Sequence, residues 1–117
     1  MGIGVHRSAT NFVRKDWGSE YWFVNCDLYC GKAITCRDGI WSSGGKYHYH
    51  EKKDETFFIL EGELELDIEG TPIILRHLCE YRIMPGVRHR FRSHGDRGCK
   101  FIEVSTHHDD ADSIRVD

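Results

Sequence analysis

The segment Glu63-Leu64-Glu65-Leu66-Asp67-Ile68-Glu69-Gly70-Thr71-Pro72-Ile73-Ile74-Leu75 decides the fold class. Leu64, Leu66 and Ile68 alternate with Glu63, Glu65 and Asp67, so an extended chain places its apolar residues on one face and its acids on the other. That is the pattern of a half-buried strand. Glu69-Gly70 then supplies a tight reversal, because glycine accepts the positive φ of a short hairpin turn, and Pro72 leads into the apolar run Ile73 to Leu75. The segment predicts a β-hairpin.

The same rhythm extends in both directions. Towards the N-terminus, Asp38-Gly39 and Gly44-Gly45 read as turns bounding strands over about Leu28 to Cys36 and Ile40 to Ser43. Towards the C-terminus, Pro85-Gly86 and the stretch from His94 to Gly98 bound two more. In one, His89, Phe91 and Ser93 share a face opposite Arg90 and Arg92; in the other, Phe101, Glu103 and Ser105 share a face opposite Ile102 and Val104. Helical periodicity is weak throughout, so the class is all-β, a sandwich or barrel. No repeat or linker divides the chain, and a single domain over residues 1–117 is expected, with the first ten residues flexible or pairing at an edge and the acidic stretch His107 to Asp117 forming a tail.

Composition narrows the function. There are 16 Lys and Arg against 19 Asp and Glu, which leaves no positive field to hold nucleic acid by counterion release. No window reaches the roughly 20 apolar residues of a membrane span, and the opening Met-Gly-Ile-Gly-Val is too short for a signal-peptide core, so a cytoplasmic location without membrane attachment is expected. The cysteines at 26, 30, 36, 79 and 99 are odd in number and form no zinc-knuckle pair, and they read as reduced thiols; Cys30 and Cys36 fall at strand spacing, as small core residues.

Chemistry concentrates in a few residues. His48 and His50 are two apart on a strand, so both imidazoles leave the same face and can meet one ion. Glu55 opens the returning strand Thr56 to Leu60 after the charged turn Glu51 to Asp54, and His89 opens a later strand after Pro85-Gly86. Together they offer three nitrogens and one carboxylate, leaving positions open on a five- or six-coordinate metal. The competing reading is a set of solvated strand residues in a histidine-rich chain. His-x-His alone is expected by chance about half a time here, but with Glu55, Gly62 and Pro85-Gly86-x-x-His89 at fixed offsets the figure falls below about one in ten thousand. The same ligand set accepts zinc, manganese, iron or nickel. Lys46 alternates in step with both histidines and is expected to point inward as a substrate contact, while Tyr47 and Tyr49 point outward. Trp17, Trp22 and Trp41 read as core or interface residues, and Arg88, Arg90 and Arg92 as a solvated face.

His48-x-His50, four residues, Glu55, six residues and Gly62 resemble the first cupin motif, and Pro85-Gly86-Val87-Arg88-His89 resembles the second. The resemblance covers about Leu28 to Ser105 and implies a cupin-type jelly roll, a double-stranded β-helix, with His48, His50, Glu55 and His89 on one divalent metal in the barrel mouth. The pattern differs at Ser42, Met84 and Ser93, none of them a ligand. The flanks Lys15 to Trp22 and Tyr29-Cys30-Gly31-Lys32 look like the opening of small sugar-isomerase cupins, including type II mannose-6-phosphate isomerase domains and lyxose isomerases. Glu103-Val104-Ser105 and Asp112 to Asp117 are similar to the tail of the mannose-6-phosphate isomerase domain.

That resemblance implies a metal-dependent isomerase acting on a small sugar or sugar phosphate, with proton transfer through a metal-stabilised enediolate. Isomerisation needs a base, and Glu103 is the residue expected to serve, because an inward carboxylate in an apolar barrel has a raised pKa. Lys32, matched by a lysine in those isomerases, is expected to hold a sugar oxygen or phosphate. Two other functions fit the ligands: an iron-dependent dioxygenase and a non-catalytic sugar-binding or regulatory module. A small jelly roll with exposed edges and many aromatics is expected to pair as a homodimer.

Overall fold

The computed structural model describes residues 11–116. Its strands are β1 (Phe12–Lys15), β2 (Gly18–Asn25), β3 (Cys30–Cys36), β4 (Tyr47–Tyr49), β5 (Glu55–Glu61), β6 (Leu64–Ile68), β7 (Thr71–Leu75), β8 (Glu80–Ile83), β9 (His89–Ser93), β10 (Cys99–Ser105) and β11 (Ile114–Val116). They form two antiparallel sheets, a six-stranded one in the order β1-β2-β3-β10-β5-β8 and a five-stranded one in the order β11-β4-β9-β6-β7. Neighbouring strands that are far apart in sequence, such as β3 beside β10 and β4 beside β9, make the jelly roll expected from the motif pattern. No helix among the described residues is long and apolar enough to cross a membrane.

The hairpin read first is β6 and β7, paired from Leu64↔Leu75 to Ile68↔Thr71. Both turn residues take positive φ, Glu69 at 53° and Gly70 at 93°, as a two-residue turn matching the sheet twist requires. Glu69 is held there by Arg88, whose carbonyl accepts from the Glu69 amide at 3.0 Å and whose amide donates to the Glu69 carboxylate at 2.9 Å. Gly62, with φ of 74°, is irreplaceable for another reason: a Cβ there would lie 2.2 Å from the Gly98 carbonyl oxygen.

Between the sheets the core contains Trp17, Ile34, Phe57, Ile59, Leu64, Leu66, Ile83, Phe91 and Phe101. Phe57 lies 4.7 Å from Phe101 and 5.7 Å edge-on from Phe91, ring centre to ring centre, so one aromatic cluster ties β5, β9 and β10 together. Cys30, Cys36 and Cys99 are buried free thiols, as the strand spacing of the first two implied. Desolvation holds the Cys99 thiol up at about 12, which keeps it protonated.

Three expectations need correction. Ile40 to Ser43 is not a strand: the chain makes a 3-10 turn over Ser42–Gly45, with Ser42 Oγ accepting the Phe91 amide at 3.0 Å. His107 to Asp117 is no tail either, because Ile114–Val116 adds a strand to the edge of β4. Arg90 and Arg92 are half-buried, each stacked on Trp41 at 4.2 and 4.3 Å. The expectation for the first ten residues lies outside the described part of the chain.

Behind β6, Asp67 accepts from the Tyr47 hydroxyl at 2.6 Å, Arg90 Nε at 3.0 Å and the Gly70 amide at 3.0 Å. Burial alone would raise its pKa, but these donors outweigh it and hold the carboxyl below its ordinary value. A depressed carboxyl contributes stability that is complete above the unfolded-state value of about 4 and is lost as pH falls through the lower folded value. Asp67→Asn is expected to lower stability by about 2 kcal/mol at pH 7 in urea unfolding. The deficit should shrink between pH 4 and pH 2, where the wild type loses the same interaction.

Candidate metal centre and cavity

Strand register places the chemistry on two facing rows. In the five-stranded sheet Arg115, His48 and His89 lie side by side on β11, β4 and β9. In the six-stranded sheet Trp22, Lys32, Glu103 and Phe57 lie side by side on β2, β3, β10 and β5. Directly opposed residues of antiparallel strands share a face, so both rows point between the sheets. All of these residues except the fully buried His89 line one cavity of about 300 Å³, together with His50, Lys53, Glu55 and His108.

His48, His50 and His89 bring ligand nitrogens within 4.8 Å of one another. Each ring is oriented by a bond on its other nitrogen: His89 Nδ1 donates to the Val87 carbonyl at 2.9 Å, His50 Nδ1 to the Asp112 carbonyl at 3.0 Å, and His48 Nδ1 lies 3.3 Å from Ser43 Oγ. These partners leave Nε2 of His50 and His89 as lone pairs aimed inward. Burial pushes the pKa of His48 well down and lowers that of His89 despite Glu55, so both rings are neutral and able to ligate near pH 7.

Glu55 completes the set. Its Oε2 lies 3.1 Å from His50 Nε2 and 3.8 Å from His89 Nε2. Its own burial would raise its pKa, but the positive surroundings, with the Lys53 ammonium as the permanent charge among them, outweigh that and keep it ionised. Glu55 Oε2 and His89 Nε2 are buried without a hydrogen-bond partner. A carboxylate oxygen and an imidazole nitrogen left in this state, beside two further imidazoles, are the donor set of a divalent transition metal. The residues fit such an ion.

The other expected residues divide. Glu103 and Lys32 are both buried in the cavity wall. Burial and the negative charge of Glu55 push the Glu103 pKa up, against the ammonium groups of Lys53 and Lys32. Lys46, in contrast, precedes β4, is exposed, and is absent from the cavity lining; the 3-10 turn breaks the alternation that the sequence suggested. The lysine that faces inward beside Lys32 is Lys53, whose Nζ donates to Glu103 Oε2 at 3.1 Å and lies 4.0 Å from Glu55 Oε2. Burial disfavours its charge, but Glu103 and Glu55 outweigh that and keep it protonated. Its parity with Glu55, two residues on, was the one available signal for it. Trp22 also faces the cavity, with Lys32 Nζ 4.3 Å from its ring centre.

His108 gave no signal in sequence. It is buried, its Nδ1 lies 2.9 Å from Lys53 Nζ and 3.4 Å from Lys32 Nζ, and its Nε2 lies 2.8 Å from Asp110 Oδ1. Two ammonium groups can only donate, so Nδ1 accepts and Nε2 carries the proton. Burial first, then Lys53 and Lys32, hold its pKa down at about 4. Asp112 anchors the same segment, its carboxylate accepting the amides of Glu51, Lys52 and Lys53 at 2.9 to 3.3 Å.

A jelly roll with a histidine and glutamate cluster in its mouth is the class of protein defined by this geometry. Residues 42–105, more than half of the chain, match the cupin domain, and the chain belongs to that family. The polyketide synthase CurC of Streptomyces cyaneus is 36% identical over 55 residues, which are 47% of this chain and 36% of that protein, so the match spans about a third of the curated relative. A cupin sugar phosphate isomerase from Silicibacter pomeroyi superposes with a TM-score of 0.70 at 21% identity, over 80% of this chain and 61% of its own. KdgF from Halomonas sp. superposes at 0.73 with 14% identity, over 86% and 90% of the two chains. These two likenesses concern the fold.

If His108 holds the two lysines as an acceptor, His108→Gln, which keeps a carbonyl oxygen in reach, should unfold in urea close to the wild type. His108→Ala should lose about 1–3 kcal/mol, the cost of leaving buried donors unpaired. Equal losses in both variants would show that ring packing, not the acceptor, matters.

Proposed function

We propose that this cupin is a metal-dependent isomerase of a sugar or sugar phosphate, with His48, His50, Glu55 and His89 as metal ligands and Glu103 as the base. The observation that carries the reading is Glu103 itself, a buried carboxylate in the same cavity as the histidine cluster and bonded to a lysine. A divalent ion there would supply a Lewis-acidic centre for the hydroxyl and carbonyl oxygens of a sugar. Glu103 would take the proton from one carbon of the sugar and return it to its neighbour, its raised pKa matching the carboxyl to that exchange. Lys53 holds the carboxylate in place, and Lys32, already fixed by Glu20 at 3.4 Å, would meet a sugar oxygen. Phe57 and Phe91 line the cavity and would limit water around the reacting carbons. The sugar phosphate isomerase among the structural neighbours agrees with this reading.

Metal-loaded protein incubated in deuterated water with pentoses, hexoses and their phosphates should exchange a carbon-bound proton, read by NMR. Glu103→Gln should keep its metal by elemental analysis and lose about 10²- to 10⁴-fold in exchange rate. Glu55→Gln should lose the metal as well. No exchange into any sugar by fully loaded protein would overturn the assignment, and oxygen uptake with iron but not zinc would replace it with a dioxygenase.

The partner proposed for the chain is a second copy of itself. The outer face of the six-stranded sheet exposes Phe23, Phe58, Leu60 and Val104, an apolar surface that a symmetric pair would cover. Sedimentation should give a dimer for the wild type, with Phe58→Lys and Val104→Lys shifting it to monomer while the metal content is kept. A monomeric wild type would remove the proposal.

A further inference from the structure

We propose that Arg115 is a specificity-determining residue that binds an anionic group, phosphate or carboxylate, on the sugar held at the histidine cluster; this rests on the reading of the cavity as a sugar site. Arg115 is the register partner of His48, which in turn pairs with His89. The three side chains therefore leave one face of the sheet in a row, with Cβ atoms of opposed neighbours about 4.5–5.5 Å apart. Arg115 and His48 both line the cavity. A ligand with oxygens at the histidine cluster has its far end within reach of the guanidinium.

The other cations of the cavity are already engaged. Lys32 is bonded to Glu20 and His108, and Lys53 to Glu103 and His108. Lys15 lies at the rim, where its charge acts on Asp110. Arg115 is exposed, and among the described residues no carboxylate or carbonyl pairs with it. The two acids at the same rim, Asp16 and Asp110, do not bond to it, and Asp110 is occupied by His108. Ser113, two residues before Arg115, lines the cavity too.

A planar fork of N–H donors fits two oxygens of a phosphate or carboxylate at once, which a lysine ammonium cannot reproduce. A cavity of about 300 Å³ holds a monosaccharide and leaves its charged substituent at the mouth, where Arg115 stands. The row Arg115, His48, His89 thus grades from anion recognition to ligand cluster along one sheet.

The test is calorimetry on the metal-loaded full chain with mannose and glucose, their 6-phosphates and their uronates. Wild type should bind one anionic class about 10- to 100-fold more tightly than the neutral parent, and which class it is separates phosphate from carboxylate. Arg115→Gln should bring that ratio towards one, and Arg115→Lys should recover only part of it. Lys100→Gln, on the solvent side of β10, should keep the wild-type ratio. A preference that survives in Arg115→Gln, or no preference in the wild type, overturns the proposal while leaving the sugar site intact. If neutral and charged sugars all fail to bind, the sugar reading falls with it.

Discussion

Glu55 buries a carboxylate at the start of β5, in the mouth between the sheets, and one of its oxygens has no hydrogen-bond partner. An ionised carboxylate in such a place costs several kcal/mol unless positive charge surrounds it. The rest of the site is arranged around that constraint. Three imidazoles surround it, and Lys53 stands 4.0 Å away on the loop before β5. A motif residue thereby dictates which neighbours must be cationic or able to hold a cation.

The second charge, on Glu103, lies deeper in the sheet and is handled differently. Lys53 bonds it directly, and Lys53 and Lys32 then share the single acceptor nitrogen of His108. Two carboxylates in one cavity thus acquire different characters, Glu55 pressed towards permanent charge and Glu103 towards a protonatable group. Divergent environments of this kind give chemically identical side chains different protonation behaviour.

Both arrangements depend on the chain after β10. Its return along β4 puts the Asp112 carbonyl on His50 Nδ1, the Asp112 carboxylate on the loop amides before Glu55, His108 on the lysines and Arg115 beside His48. The matched cupin region ends at residue 105, before all of these. The family core supplies His48, His50, Glu55 and His89, and the segment beyond it fixes the tautomer of His50 and shapes the mouth.

The alternation in Glu63 to Leu75 and the turn at Glu69-Gly70 were sufficient to read an all-β sandwich or barrel, because strand parity and glycine turns are local properties of the chain, while the jelly roll and the gathering of His48, His50, Glu55 and His89 were implied by the cupin resemblance. Parity also put Glu103 indoors correctly. It failed for Lys46, where a 3-10 turn over Ser42–Gly45 interrupts the alternation, and for the closing segment, whose polar composition hides a strand. Which lysine meets Glu103, which histidine accepts from it, and which arginine stands beside His48 were decided only by tertiary structure. Those contacts join residues some 50 to 80 positions apart, and only the folded chain brings together the strands and the loops that carry Lys53 and His108.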